Sequence, residues 1–256
     1  MKKGKKILST VLMMACMSVM LIGCGTSSDG AAAAGSNTLV MATNAAFPPY
    51  EYVENGEYVG IDVEIAQAIA KELGMELEIK DVEFGSIIAG VESGKFDMGM
   101  AGMTVTEERK QSVNFSNTYA TAVQSIIVPE GSAIASVDDL SSDIKIGVQQ
   151  DTTGDIYASD EYGDAVVRYK NGADAVQALV SGKVDCVIID NEPAKSFVAA
   201  NTGLVILDSA YAEEEYAICI AKDNEELLGQ INEALAKLQA DGTIDAIVAK
   251  YIPTED

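Results

Sequence analysis

Four short stretches carry side chains able to hold a small charged molecule. Residues 101–109 read Ala-Gly-Met-Thr-Val-Thr-Glu-Glu-Arg. Arg109 offers a planar fork of donors suited to a carboxylate, and Thr104 adds a hydroxyl. Gly102 permits close backbone approach. Asp190, followed by Asn191, Glu192 and Pro193, offers a carboxylate to an ammonium. Phe47, in a turn from Asn44 to Tyr50, and Phe84 are flat apolar walls. Gln149 to Gly154 adds amides, hydroxyls and free backbone donors, Thr153 among them. A cationic fork, an anion and two aromatic walls complement a free α-amino acid. Each residue also has a plainer reading. Arg109 suits a surface ion pair with Glu107 or Glu108. Asp190 suits a helix N-cap with Pro193 in the first turn, and both roles can coexist. Phe47 and Phe84 alone suit a core.

These stretches must be positioned by something, and the chain supplies it by alternating short β-branched runs with longer helical patterns. That alternation reads as α/β with largely parallel sheet. Strands are expected at residues 39–43, 76–80, 97–101, 145–148, 165–169, 185–189 and 217–221. Asp62 is expected to cap a helix whose Ile65, Ile69 and Leu73 share one face, with Gly74 as its stop. Further helices are expected at 84–93, after Thr153, and at 172–180, 192–200, 225–240 and 243–251. The run from Val91 to Met100 is echoed from Leu179 to Ile188, an offset of 88 residues. Both copies are a helix end, a glycine stop and a buried strand, which suggests two lobes of similar build. Each chemical stretch follows the carboxyl end of a strand, where open parallel sheets bind ligands. Facing lobes would bring all four to one cleft.

Composition narrows the chemistry. The 256 residues carry 17 Lys+Arg against 40 Asp+Glu, a net charge of −23, which argues against nucleic acid. Histidine is absent, which excludes Ser-His-Asp and Cys-His catalysis and any histidine metal site. No metal or other cofactor is expected. Lys2, Lys3, Lys5 and Lys6 precede a mostly apolar run at 7–22 and then Gly23-Cys24. The pattern looks like a lipoprotein signal over 1–23, cleaved before Cys24, whose thiol would carry a diacylglyceryl anchor. Residues 24–37 read as that lipidated cysteine and a flexible tether reaching about 20 Å. A plain secretory signal or an uncleaved anchor are the alternatives. Cys186 and Cys219 lie in apolar runs and are expected as buried free thiols.

The motifs together resemble a known family. Residues 60–73, Gly-Ile-Asp-Val-Glu-Ile-Ala-Gln-Ala-Ile-Ala-Lys-Glu-Leu, look like the signature of family 3 extracellular solute-binding proteins, the polar amino acid receptors of ABC importers. Residues 42–51, 101–110, 114–116 and 184–190 resemble further motifs of that family in their usual order. The resemblance covers about residues 38–252. It implies a periplasmic-binding-protein-like fold: two lobes, each a mostly parallel sheet flanked by helices, joined by two crossing strands. Lobe 1 would comprise 38–118 and 217–256, lobe 2 would comprise 124–211, and the hinge strands would be 119–123 and 212–216. By position, Arg109 and Thr104 would hold the α-carboxylate, with the backbone of Gly102 and Thr153 nearby. Asp190 would hold the α-ammonium, Phe47 and Phe84 would sandwich the ligand side chain, and Asn44 and Gln149 would face its tip.

Relatives that bind basic ligands often have an acid at the place of Asn44, and some that bind amides have a base at the place of Gln149. Both are neutral amides here. A neutral polar amino acid is therefore expected first and a basic one next, with Glu51 or Glu192 able to tilt the choice. The resemblance implies a monomer outside the cytoplasm, tied to the membrane at Cys24 and serving a permease and, through it, an ATPase. Two other readings share the architecture: an enzyme like cyclohexadienyl dehydratase or the sensing module of a lytic transglycosylase, and a receptor that signals to a sensor protein. The enzyme would need a general acid in the cleft, where Asp190 and Glu192 are the obvious carboxylates.

Overall fold

The computed structural model describes residues 37–208 and 210–252. The signal at 1–23, Cys24 and the tether up to residue 36 lie outside the described residues. Among those described, no helix is long and apolar enough to cross a membrane.

Two sheets carry the chain. In the first, Thr38–Thr43 lies between Glu76–Asp81 and Met98–Gly99, parallel to both. Cys219–Ala221 returns from late in the chain and runs antiparallel between Met98–Gly99 and Val113–Phe115. The second sheet centres on Ile146–Gln149, parallel to Val166–Tyr169 on one side and Cys186–Asp190 on the other. Ala120–Pro129 enters antiparallel beside Cys186–Asp190. Its first residues pair with Ala212–Tyr216, and its last with Leu204–Ile206. Ala120–Pro129 and Ala212–Tyr216 thus form an antiparallel ribbon from one lobe to the other.

The buried patterns explain the elements. Ile61, Ile65 and Ile69 are fully buried on one stripe of the helix Ile61–Glu72, and Leu73 is partly buried at its end. Gly74 follows at φ 68°, a left-handed value at which glycine is unstrained. The helices Gly172–Val180, Glu225–Ala240 and Thr243–Tyr251 lie where the periodicity places them. Asn171 caps the first and Asn224 the second, each accepting from a backbone N–H three residues on.

Three expectations need correction. Asp62 caps nothing: Gly60 stands at the cap, and Asp62 lies inside the first turn, wholly buried. The 84–93 helix is a 3₁₀ turn, Phe84–Ser86, followed by Ile87–Glu92. The turn after the first strand also builds a small sheet of Ala46–Phe47, Glu51–Glu54 and Glu57–Val59. Cys186 and Cys219 are free and buried, one in each main sheet, and burial pushes both thiols up to about 12.

Candidate functional site

The strand ends converge as the alternation predicts. Asn44, Phe47, Phe84, Gly102, Thr104, Arg109, Gln149, Thr153 and Asp190 all line one narrow pocket between the lobes. Glu51, which the sequence offered as able to tilt the ligand choice, lines it as well, with Ala101 and Thr152; Glu192 does not.

Arg109 begins the short helix Arg109–Ser112 and is 8% exposed. Its Nη1 donates to the Thr104 carbonyl at 2.7 Å and its Nη2 to the Asp151 carbonyl, in the other lobe, at 3.1 Å. The guanidinium lies 5.3 Å from the Phe84 ring centre. Glu107 instead pairs with Lys110, so the surface ion pair is not the arrangement. Burial depresses the Arg109 pKa, opposed chiefly by the charge of Glu214. Glu214 lies on a crossing strand, where its buried Oε2 accepts from Thr104 Oγ1 at 2.9 Å and from Gln124 Nε2 at 3.1 Å.

Asp190 ends its strand at the N-cap position of the helix Asn191–Ala200, yet its side chain caps nothing. Oδ1 accepts from Tyr216 Oη at 2.6 Å and Oδ2 from Gln124 Nε2 at 3.0 Å. Burial, then Glu214, pushes its carboxyl up to about 7. Thr153 opens the helix Thr153–Tyr162, and its hydroxyl accepts from Gln124 Nε2 at 3.3 Å.

Gly102 has φ 50°, and a Cβ there would sit 2.9 Å from the Phe47 ring. Its N–H is already engaged, donating to Asp62 Oδ2 at 2.8 Å. At the far end Gln149 Nε2 donates to Asn44 Oδ1 at 3.0 Å, and Asn44 Nδ2 donates to the Val82 carbonyl at 2.9 Å. The two amides therefore join the lobes directly. Beneath them runs a file of rings: Phe47 to Tyr50 at 6.2 Å, Tyr50 to Tyr216 at 5.1 Å, Tyr216 to Tyr119 at 6.4 Å.

The sequence reading missed Gln124 and Glu214, although alternation along residues 212–216 turns Glu214 and Tyr216 inward and Glu213 and Glu215 outward.

Comparison with known proteins identifies the family and the fold. Residues 39–254 match the family model described as bacterial extracellular solute-binding proteins, family 3. The arginine-binding extracellular protein ArtP of Bacillus subtilis is 35% identical over 251 residues, which span 96% of this chain and 97% of that one. An ancestral arginine-binding protein has been solved bound to arginine (42% identity, TM-score 0.79) and bound to glutamine (41% identity, TM-score 0.80). Each of those structures covers 84% of this chain and 98% of its own.

Proposed function

The chain belongs to the bacterial extracellular solute-binding proteins of family 3, and on that premise we propose that it captures a free L-amino acid between its lobes and delivers it to an ABC importer. Arg109, Thr104 and the backbone at Thr153 hold the α-carboxylate. Asp190, with Glu214 behind it, holds the α-ammonium. Phe47 and Phe84 flank the side chain, and Gly102 leaves room for it. The lobes are 38–118 with 217–256, and 124–211, hinged at 119–123 and 212–216. The protein works outside the cytoplasm as a monomer, held at the membrane through a lipid on Cys24, and hands its cargo to the permease that its ATPase drives. It performs no chemistry of its own: of the two carboxylates an enzyme would need as an acid, Asp190 is taken by the ammonium and Glu192 pairs with Lys195, while Glu51 serves the ligand side chain.

The ligand side chain is cationic, arginine being the model case. The observation that carries this is Glu51, which lines the pocket at 1% exposure with no cation beside it among the described residues. Arg109 is the one cation among the lining residues, against Glu51 and Asp190. A zwitterionic backbone leaves the buried Glu51 carboxyl without a partner, and a cationic side chain would pair with it. A neutral polar ligand such as glutamine is the second reading, supported by the Asn44–Gln149 pair at the tip.

A thermal-shift screen of the twenty amino acids tests both, because a ligand of the native state stabilises it by RT ln(1 + [L]/Kd). Arginine and glutamine should give the largest shifts. Glutamate giving the largest would sink the assignment.

A further inference from the structure

Glu51 does not stand alone. Its carboxyl faces that of Asp62, and both side chains are buried, at 1% and 0% exposure. Glu51 Oε2 and Asp62 Oδ1 receive no hydrogen bond from any donor among the described residues. The other Asp62 oxygen, Oδ2, accepts from Gly102 N–H and from Tyr119 Oη, each at 2.8 Å. Among the described residues, the other groups acting on the pair are neutral or acidic: Tyr50 beside Glu51, Tyr119 against Asp62, Asp190 from lobe 2, and Asp81 at its strand end. Arg109 is turned to the Thr104 and Asp151 carbonyls. Two carboxylates in contact, dry and without a cation, cannot both ionise at neutral pH.

We propose that, before a ligand arrives, Glu51 and Asp62 hold one proton between them, and that a cationic ligand side chain takes its place. The proposal rests on the amino acid reading above and adds to it a cost in protons. The proton sits on Glu51, because the two donors at Asp62 Oδ2 favour the charged form there. Desolvation and the Asp62 charge hold Glu51 far above the usual carboxylate range, and burial raises Asp62 to about 6. When a guanidinium or ammonium reaches Glu51, the proton leaves to the solvent. One positive charge enters as one leaves, so the charge around the pair is unchanged. A neutral side chain instead meets a protonated Glu51, a donor for a ligand carbonyl. One pocket thereby serves two ligand classes, and pH shifts the balance between them.

Calorimetry decides this. Arginine and glutamine are titrated into the protein at about pH 8, in phosphate and in Tris, and the buffer dependence of the heat counts protons. At that pH Asp190 is largely ionised, so its own proton release on ammonium binding is small for both ligands. Arginine should release about one proton more than glutamine. Equal counts would overturn the proposal while leaving the ligand class standing. If neither amino acid binds, the amino acid reading fails instead. Carbon-13 carboxyl NMR then tests the shared proton directly, and a Glu51 signal titrating in the ordinary glutamate range would overturn it. In Asp62→Asn an amide still accepts from Gly102 and Tyr119 and offers Glu51 an N–H. The arginine excess should shrink in that variant while arginine still binds, since burial of Glu51 remains but the Asp62 charge is gone, and an undiminished excess would mean that Asp62 takes no part in holding the proton. Should the variant fail to fold, the NMR titration of the unaltered protein stands as the test.

Discussion

At the Arg109 end of the cleft Arg109 and Asp190 each have fixed partners. Arg109 is spanned by two carbonyls, and Asp190 is held by Tyr216 and Gln124. At the Asn44 end the groups hold one another: Gln149 bonds Asn44, and Glu51 faces Asp62. The first end suits what all amino acids share, and its rigidity lowers the cost of ordering on binding. The second end can exchange its partners, and choice among side chains belongs there. Changes at the first end should therefore weaken every ligand alike, and changes at the second should separate them.

The largest effect is expected from Arg109→Lys. An ammonium cannot reproduce two directed donors, and loss of a buried charged partner costs about 2–5 kcal/mol. Calorimetry should show arginine and glutamine weakened equally, with native circular dichroism. Weakening of one alone would break the division between the ends.

Next comes pH. Asp190 and Asp62 have folded pKa values raised to about 7 and about 6, against about 3.9 unfolded. The folded state binds more protons than the unfolded state across that window, so stability is highest below it and falls as pH rises through it. Without ligand, Tm should be several degrees higher at about pH 5 than at about pH 8. The reverse would mean that the cleft acids are ionised at no cost.

A smaller effect tests closure. A Cβ on Gly85 would run into the Asp151 carboxylate of the opposite lobe. Gly85→Ala should weaken all amino acids by about 1 kcal/mol, since a flexible side chain can partly yield. Loss confined to arginine would place Gly85 in side-chain selection. Smallest of all is Lys170→Ala. The exposed pair from Lys170 to Glu83 crosses the cleft mouth at 2.9 Å, and affinities should stay within error.

How far the sequence foretold this follows the same physics. Periodic helices such as Glu225–Ala240 were legible because one apolar stripe and a capping asparagine sit on a single short stretch. The pocket residues were legible because strand ends are where open sheets bind. Asp62 was misread because a carboxylate near a helix start is locally indistinguishable from a cap. Its partners, Gly102 and Tyr119, come from elsewhere in the chain. Glu51 stayed ambiguous for the same reason, since the acids acting on it, Asp62, Asp81 and Asp190, come from elsewhere in the chain. The hairpin around Asn55 and Gly56 was available and overlooked: both have positive φ, 53° and 85°, as a tight two-residue turn requires.

The bond between Gln149 and Asn44 has a consequence of its own. It joins one donor to one acceptor, 3.0 Å apart, across the gap where a side-chain tip would lie. The pair is in effect a cast of its guest. A tip that parts the two amides must supply an acceptor for Gln149 and a donor for Asn44, or leave a polar group stranded. A side chain too short to arrive there leaves them clasped. The lobes then touch through the same atoms, whether or not anything is being measured, and the length of the side chain becomes a quantity the hinge can read.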